Sequence, residues 1–135
     1  MIFKLIIAAV LMPVLLAGSP REVGTIQFVD GIVRIKPSSE GNVESIAIPG
    51  RILYENDILQ TAENAVVELV TKDLGLRIKL ADITEITIEE NNIFRSVHLH
   101  YGRIFTESRT QDKIDSFIST RSSKVKLGNS ETWIN

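Results

Sequence analysis

No cysteine occurs among the 135 residues, which excludes disulfides, thiolate metal sites and thiol nucleophiles without naming a compartment. Basic runs are missing too, and a formal net charge of -2 argues against nucleic acid as a partner. Aromatic residues are sparse at 6%, so the sequence offers little of the stacking platform that a glycan or small-ligand site would need. No nucleophile elbow, phosphate-cradling glycine loop or metalloprotease helix motif occurs, so neither a cofactor nor catalysis is expected. The longest apolar stretch, residues 5–16, has 12 residues. A spanning helix needs about 20.

What is present begins with that stretch. Lys4 precedes it and Ala17-Gly18 follows it, which is the three-part layout of a secretory signal. Residues 1–17 are therefore expected to be a signal peptide and 18–135 a single exported domain. Leu16-Ala17-Gly18-Ser19 resembles a bacterial lipobox with serine in place of the lipidated cysteine, and serine offers no thiol to acylate. The expectation is a periplasmic or otherwise exported protein of the cell envelope, soluble and without a stable membrane anchor once the leader is cleaved.

From Gly24 onward apolar residues recur with period two. Leu74, Leu76, Ile78 and Leu80 fall on one face, with Gly75, Arg77 and Lys79 on the other. Ala65, Val67, Leu69 and Thr71 alternate with Val66, Glu68 and Val70, so residues 65–81 read as a hairpin turning at Lys72-Asp73. Residues 24–29 and 32–36 flank Asp30-Gly31, read as a hairpin turn or a bulge. Further strands are expected over 44–48, 58–61, 83–88, 96–101, 102–107 and 116–120, with 38–42 and 108–115 as loops. About ten short strands, mainly in antiparallel hairpins, predict an all-β sandwich or a short solenoid-like stack.

Pro49-Gly50-Arg51-Ile52-Leu53-Tyr54-Glu55-Asn56-Asp57-Ile58-Leu59-Gln60-Thr61, followed by the 65–80 hairpin, resembles the FecR domain family. Gly24-Thr25-Ile26 and Val29-Asp30-Gly31-Ile32-Val33-Arg34-Ile35 look like its opening strands, and Tyr101-Gly102-Arg103-Ile104 is similar to its later strand-glycine-strand element. The match is good over residues 24–101. It degrades beyond them, at Phe117-Ile118-Ser119-Thr120-Arg121 and Leu127-Gly128-Asn129. The resemblance implies an envelope β-domain that binds another protein. Family members in iron-uptake signalling also carry a membrane helix and a cytoplasmic sigma-factor regulator, and neither is seen in this sequence.

Asp30, Gly31, Gly50, Asn56, Asp57 and Gly102 are read as turn formers, because glycine and asparagine tolerate positive φ and aspartate hydrogen-bonds its own turn. The functional alternative makes Asp57 an exposed ligand-binding carboxylate. His98 and His100, at i and i+2 on a strand, share a face and are the candidate metal ligands, but a site wants three or four. The bland alternative sets them on the solvent side of a strand whose inner face is Val97, Leu99 and Tyr101. Glu89-Glu90 reads as a solvated strand end. Trp133 is read first as closing the core and second as an anchor for a partner. The leading expectation is an interaction, sensing or scaffolding module whose sheet edges dock another envelope protein or a second copy. A small-ligand or glycan module is the alternative, and a histidine-based metal site the third.

Overall fold

The computed structural model describes residues 20–39, 43–108, 114–128 and 131–135. The expected leader, residues 1–17, lies outside them. Among the described residues thirteen strands form two sheets: β1 (Glu22–Asp30), β2 (Val33–Lys36), β3 (Ser45–Ile46), β4 (Ile52–Tyr54), β5 (Ile58–Thr61), β6 (Val66–Thr71), β7 (Leu76–Leu80), β8 (Glu85–Glu90), β9 (Phe94–Tyr101), β10 (Ile104–Ser108), β11 (Asp115–Ser119), β12 (Lys124–Lys126) and β13 (Glu131–Ile134). The first sheet runs β13-β10-β7-β6-β1-β4 and the second β12-β11-β9-β8-β5-β2-β3. This is the expected all-β sandwich, with antiparallel pairing except between β9 and β11.

Alternation puts one face of most strands inside, though β12 is exposed throughout. The first sheet contributes Val23, Ile26, Val67, Leu69, Ile78, Leu80 and Ile104, and the second Val33, Ile35, Leu59, Ile86, Ile88, Val97 and Ile118. Each large aliphatic side chain so buried contributes about 1.5–3 kcal/mol. The 65–81 hairpin is present, with Val67 opposite Leu80 and Val70 opposite Arg77.

Several expectations are corrected. Asp30-Gly31 is neither a hairpin turn nor a bulge: β1 pairs with β4 and β6, while β2 pairs with β3 and β5 in the other sheet. It is the corner where the chain crosses between sheets, and alternation within a strand says nothing about which sheet the next strand joins. The turn of the 65–81 hairpin takes four residues, 72–75, instead of the two read at Lys72-Asp73. Leu74 belongs to the turn, at φ 62 and 65% exposed, and so leaves the inner face. The strand read over 44–48 shortens to Ser45–Ile46. Of the 108–115 loop, Ser108 ends β10 and Asp115 opens β11.

Candidate functional site

Two faults in the alternation shape the surface. Along β8 and β9, Ile86 faces Leu99 but Glu85 faces Tyr101, so β9 carries one extra residue there. A bulge of this kind sets two consecutive residues against one and re-aims a side chain. Tyr101, read as inner face with Val97 and Leu99, instead turns outward beside His100 and is 42% exposed. The same device on β1, between Ile26 and Phe28, turns Phe28 out.

His98, His100 and Tyr101 thus form a row of three rings on the outer face of the second sheet. Two are held from the neighbouring β8 and one from β5 beyond it: His98 Nε2 lies 3.1 Å from Glu89 Oε2, His100 Nε2 lies 3.0 Å from Thr87 Oγ1, and Gln60 Nε2 donates to Tyr101 Oη at 2.6 Å. β11 runs parallel beside them with Ser119 opposite His98. A cleft of about 360 Å³ results, lined by Glu85, His98, His100, Tyr101, Ser119 and Arg121. Among the described residues no three histidine, aspartate or glutamate side chains gather to hold a metal, so His98 and His100 share a face without a third ligand.

Asp57 is 3% exposed, and its two oxygens accept the backbone N–H groups of Ser38 at 3.1 Å and Tyr54 at 3.0 Å. The carboxylate therefore ties the β2–β3 connection to β4 and offers no exposed oxygen pair to a ligand. A hollow of about 480 Å³ lies beside it, reaching Pro37, Ser45 and Arg51. Asn56 at φ 63, Gly31 at φ 81, Gly50 at φ 90 and Gly102 at φ 95 stand at turns or crossings, and Asp30 ends β1 at the first crossing.

The residue that sequence reasoning missed is Arg95. It lies on the inner face of β9, fully buried, with Nε 2.8 Å from Glu90 Oε1, Nη2 2.6 Å from Asp73 Oδ2 and Nη1 donating to Ser116 Oγ at 3.1 Å. Asp73 also accepts from Thr71 Oγ1 and from the backbone N–H of Gly75. Burial pushes the Asp73 pKa up, but the Arg95 and Thr71 hydrogen bonds, the Gly75 N–H and the Arg95 charge outweigh it and hold it below the ordinary value. Glu90, read as a solvated strand end, is instead a buried partner of Arg95, with Arg21 Nε 3.8 Å away on the other side. The signal was available: Arg95 alternates in phase with Val97 and Leu99.

Trp133, read first as core, is 52% exposed. It lies opposite Phe105 on β10, with ring centroids 5.1 Å apart, and the Arg103 guanidinium sits 5.0 Å from its ring. Its neighbour Ile134 packs against the core in its place.

The sequence and the fold match no family model, no curated protein and no solved structure. Among the described residues no helix is long and apolar enough to cross a membrane.

Proposed function

We propose that the chain is an exported cell-envelope domain of the FecR-like kind that works by binding another protein, and that β13 is the edge it binds through. The observation that carries this is the contrast among the four sheet edges. Unpaired edges invite strand addition, and proteins blunt those that must stay free. β3 has only two residues. β4 has three, and Asp57 takes up the Tyr54 N–H. β12 carries two lysines in three residues. β13 has four residues, one of them charged, and displays Trp133 already braced by Phe105 and Arg103. A braced, half-exposed tryptophan loses little rotamer freedom on burial, which suits it to anchor an interface.

The FecR-like part of the reading is supported by the turns at Gly50 and Asn56, within the segment that carries the resemblance. Binding another protein needs no catalytic group or cofactor. The test is quantitative affinity purification of the tagged full chain from its own envelope, alongside Trp133→Glu. The wild type should recover one partner in near-equal amount, and the variant, with an unchanged circular dichroism spectrum, should lose it. Equal recovery by both would overturn the assignment to β13.

A further inference from the structure

We propose that the cleft on the outer face of the second sheet, floored by His98, His100 and Tyr101, is a binding site for a short saccharide. The cleft is separate from β13, which belongs to the other sheet.

A sugar ring presents a patch of C–H groups on one face and a rim of hydroxyls that both donate and accept. A site for it therefore needs a flat, partly apolar surface beside planar polar groups of mixed character. Tyr101 supplies the surface: the residue lines the cleft and is 42% exposed, while its hydroxyl accepts from Gln60 at 2.6 Å and keeps its own proton to donate. Around it stand a carboxylate that only accepts, Glu85, a guanidinium that only donates, Arg121, and the Ser119 hydroxyl that does both. Glu85 and Arg121 cancel in charge, so the cleft shows no preference for an ion over an uncharged polyol. A volume of about 360 Å³ is that of one or two sugar rings.

Preorganisation is the second strand of the argument. All three rings of the floor are held from the side, by Glu89, Thr87 and Gln60 on β8 and β5. Side chains fixed before the ligand arrives lose little entropy on binding. The bulge opposite Glu85 turns the last of the rings outward, and bulges recur next to functional sites because they re-aim a side chain in this way. An ordinary strand would have put Tyr101 in the core, where its hydroxyl would need a buried partner.

The test is an amide-shift titration by NMR of the full-length protein with three trisaccharides, one neutral, one N-acetylated and one carrying carboxylates. At least one should shift residues 98–101 and 119–121 as a group, saturating at about 20 mM or below. Tyr101→Ala should weaken that titration about tenfold or more, and Tyr101→Phe, which keeps the ring, should retain most of it. Arg121→Ala, at an exposed turn, should weaken it with the fold unchanged. The proposal is overturned if none of the three sugars moves this group, if the shifts fall elsewhere, or if both Tyr101 variants titrate like the wild type.

Discussion

Replacing Arg95 with methionine isolates the buried ion group. The arginine is 0% exposed and answers two carboxylates at 2.6 and 2.8 Å, one from the β6–β7 turn of the first sheet and one from β8 of the second. Methionine fills much of the same volume, so the loss is electrostatic rather than a cavity. It leaves Glu90, whose side chain is 9% exposed, with Arg21 at 3.8 Å as its cation among the described residues, and takes from Ser116 Oγ the Arg95 donor. Removing one partner of a buried pair costs about 3–5 kcal/mol, because the remaining charge stays desolvated. Against a total stability of about 5–15 kcal/mol that is a large fraction. In urea, with a slope of about 1.5 kcal/mol per molar, the unfolding midpoint of Arg95→Met should fall by about 2–3 M.

The companion variant Asp73→Asn separates the two carboxylates. Asp73 is 36% exposed at its side chain, so solvent screens its pairing, and its share should be about 1 kcal/mol. Asparagine can still accept from Thr71 and Gly75, so the turn itself should survive. In Arg95→Met, the further change Asp73→Asn should cost almost nothing. A midpoint drop below about 0.7 M for Arg95→Met, at unchanged slope, would refute the reasoning: it would mean that the desolvation of Arg95 cancels its pairing.

The remaining expectations concern acid and the β4 edge. Folded Asp73 holds its proton less readily than the unfolded chain does, so its contribution is complete above the ordinary value of 3.8 and is lost as pH falls through the lower folded value; urea midpoints between pH 5 and pH 2 should lose that part in the wild type and not in Asp73→Asn. Asp57→Ala strands two backbone N–H groups and should cost about 2–3 kcal/mol, with the Tyr54 amide losing hydrogen-exchange protection; protection as in the wild type would contradict its role at the edge.

Period-two alternation was enough to read the all-β class, with a sandwich and a solenoid-like stack both open, because a strand with one face in the core records its own orientation in its sequence. Leu76, Ile78 and Leu80 show this, as do Thr84, Ile86 and Ile88. It fails where the period breaks. One extra residue in β9 reverses Tyr101, and nothing in His98-Leu99-His100-Tyr101 marks the bulge, since the bulge exists only in the pairing with β8. The crossings at Asp30-Gly31 and Gly102 are invisible for the same reason: local pattern fixes a face, and partner choice is decided by the whole chain. Arg95 was legible but missed. A charge in phase with Val97 and Leu99 is either an error of phase or a buried ion, and only Glu90 on the adjacent strand and Asp73 across the sandwich decide between them.

Gly102 links the two proposed sites. Tyr101 lies in the cleft of the second sheet, Arg103 stacks on Trp133 in the first, and the chain crosses between sheets on the one residue separating them. The Arg103 backbone is clamped to Thr84, its N–H donating to Thr84 Oγ1 at 3.0 Å and its carbonyl accepting from the same hydroxyl at 3.3 Å. At φ 95 any side chain is strained by about 1–2 kcal/mol. A Cβ would in addition sit 2.5 Å from Thr84 Cα and 2.6 Å from the Ile83 carbonyl oxygen, both backbone, so the β7–β8 connection must move. Gly50 is the control, with φ 90 and nothing within 4 Å of its Cβ position, so that Gly50→Ala carries the conformational strain alone. Gly102→Ala should therefore cost about 2 kcal/mol more than Gly50→Ala. It should also shift Trp133 fluorescence and the Tyr101 ring resonances together, since moving the crossing moves both of its flanks. Equal destabilisation by the two variants, or a change at one flank without the other, would show that the sites are built independently of the crossing.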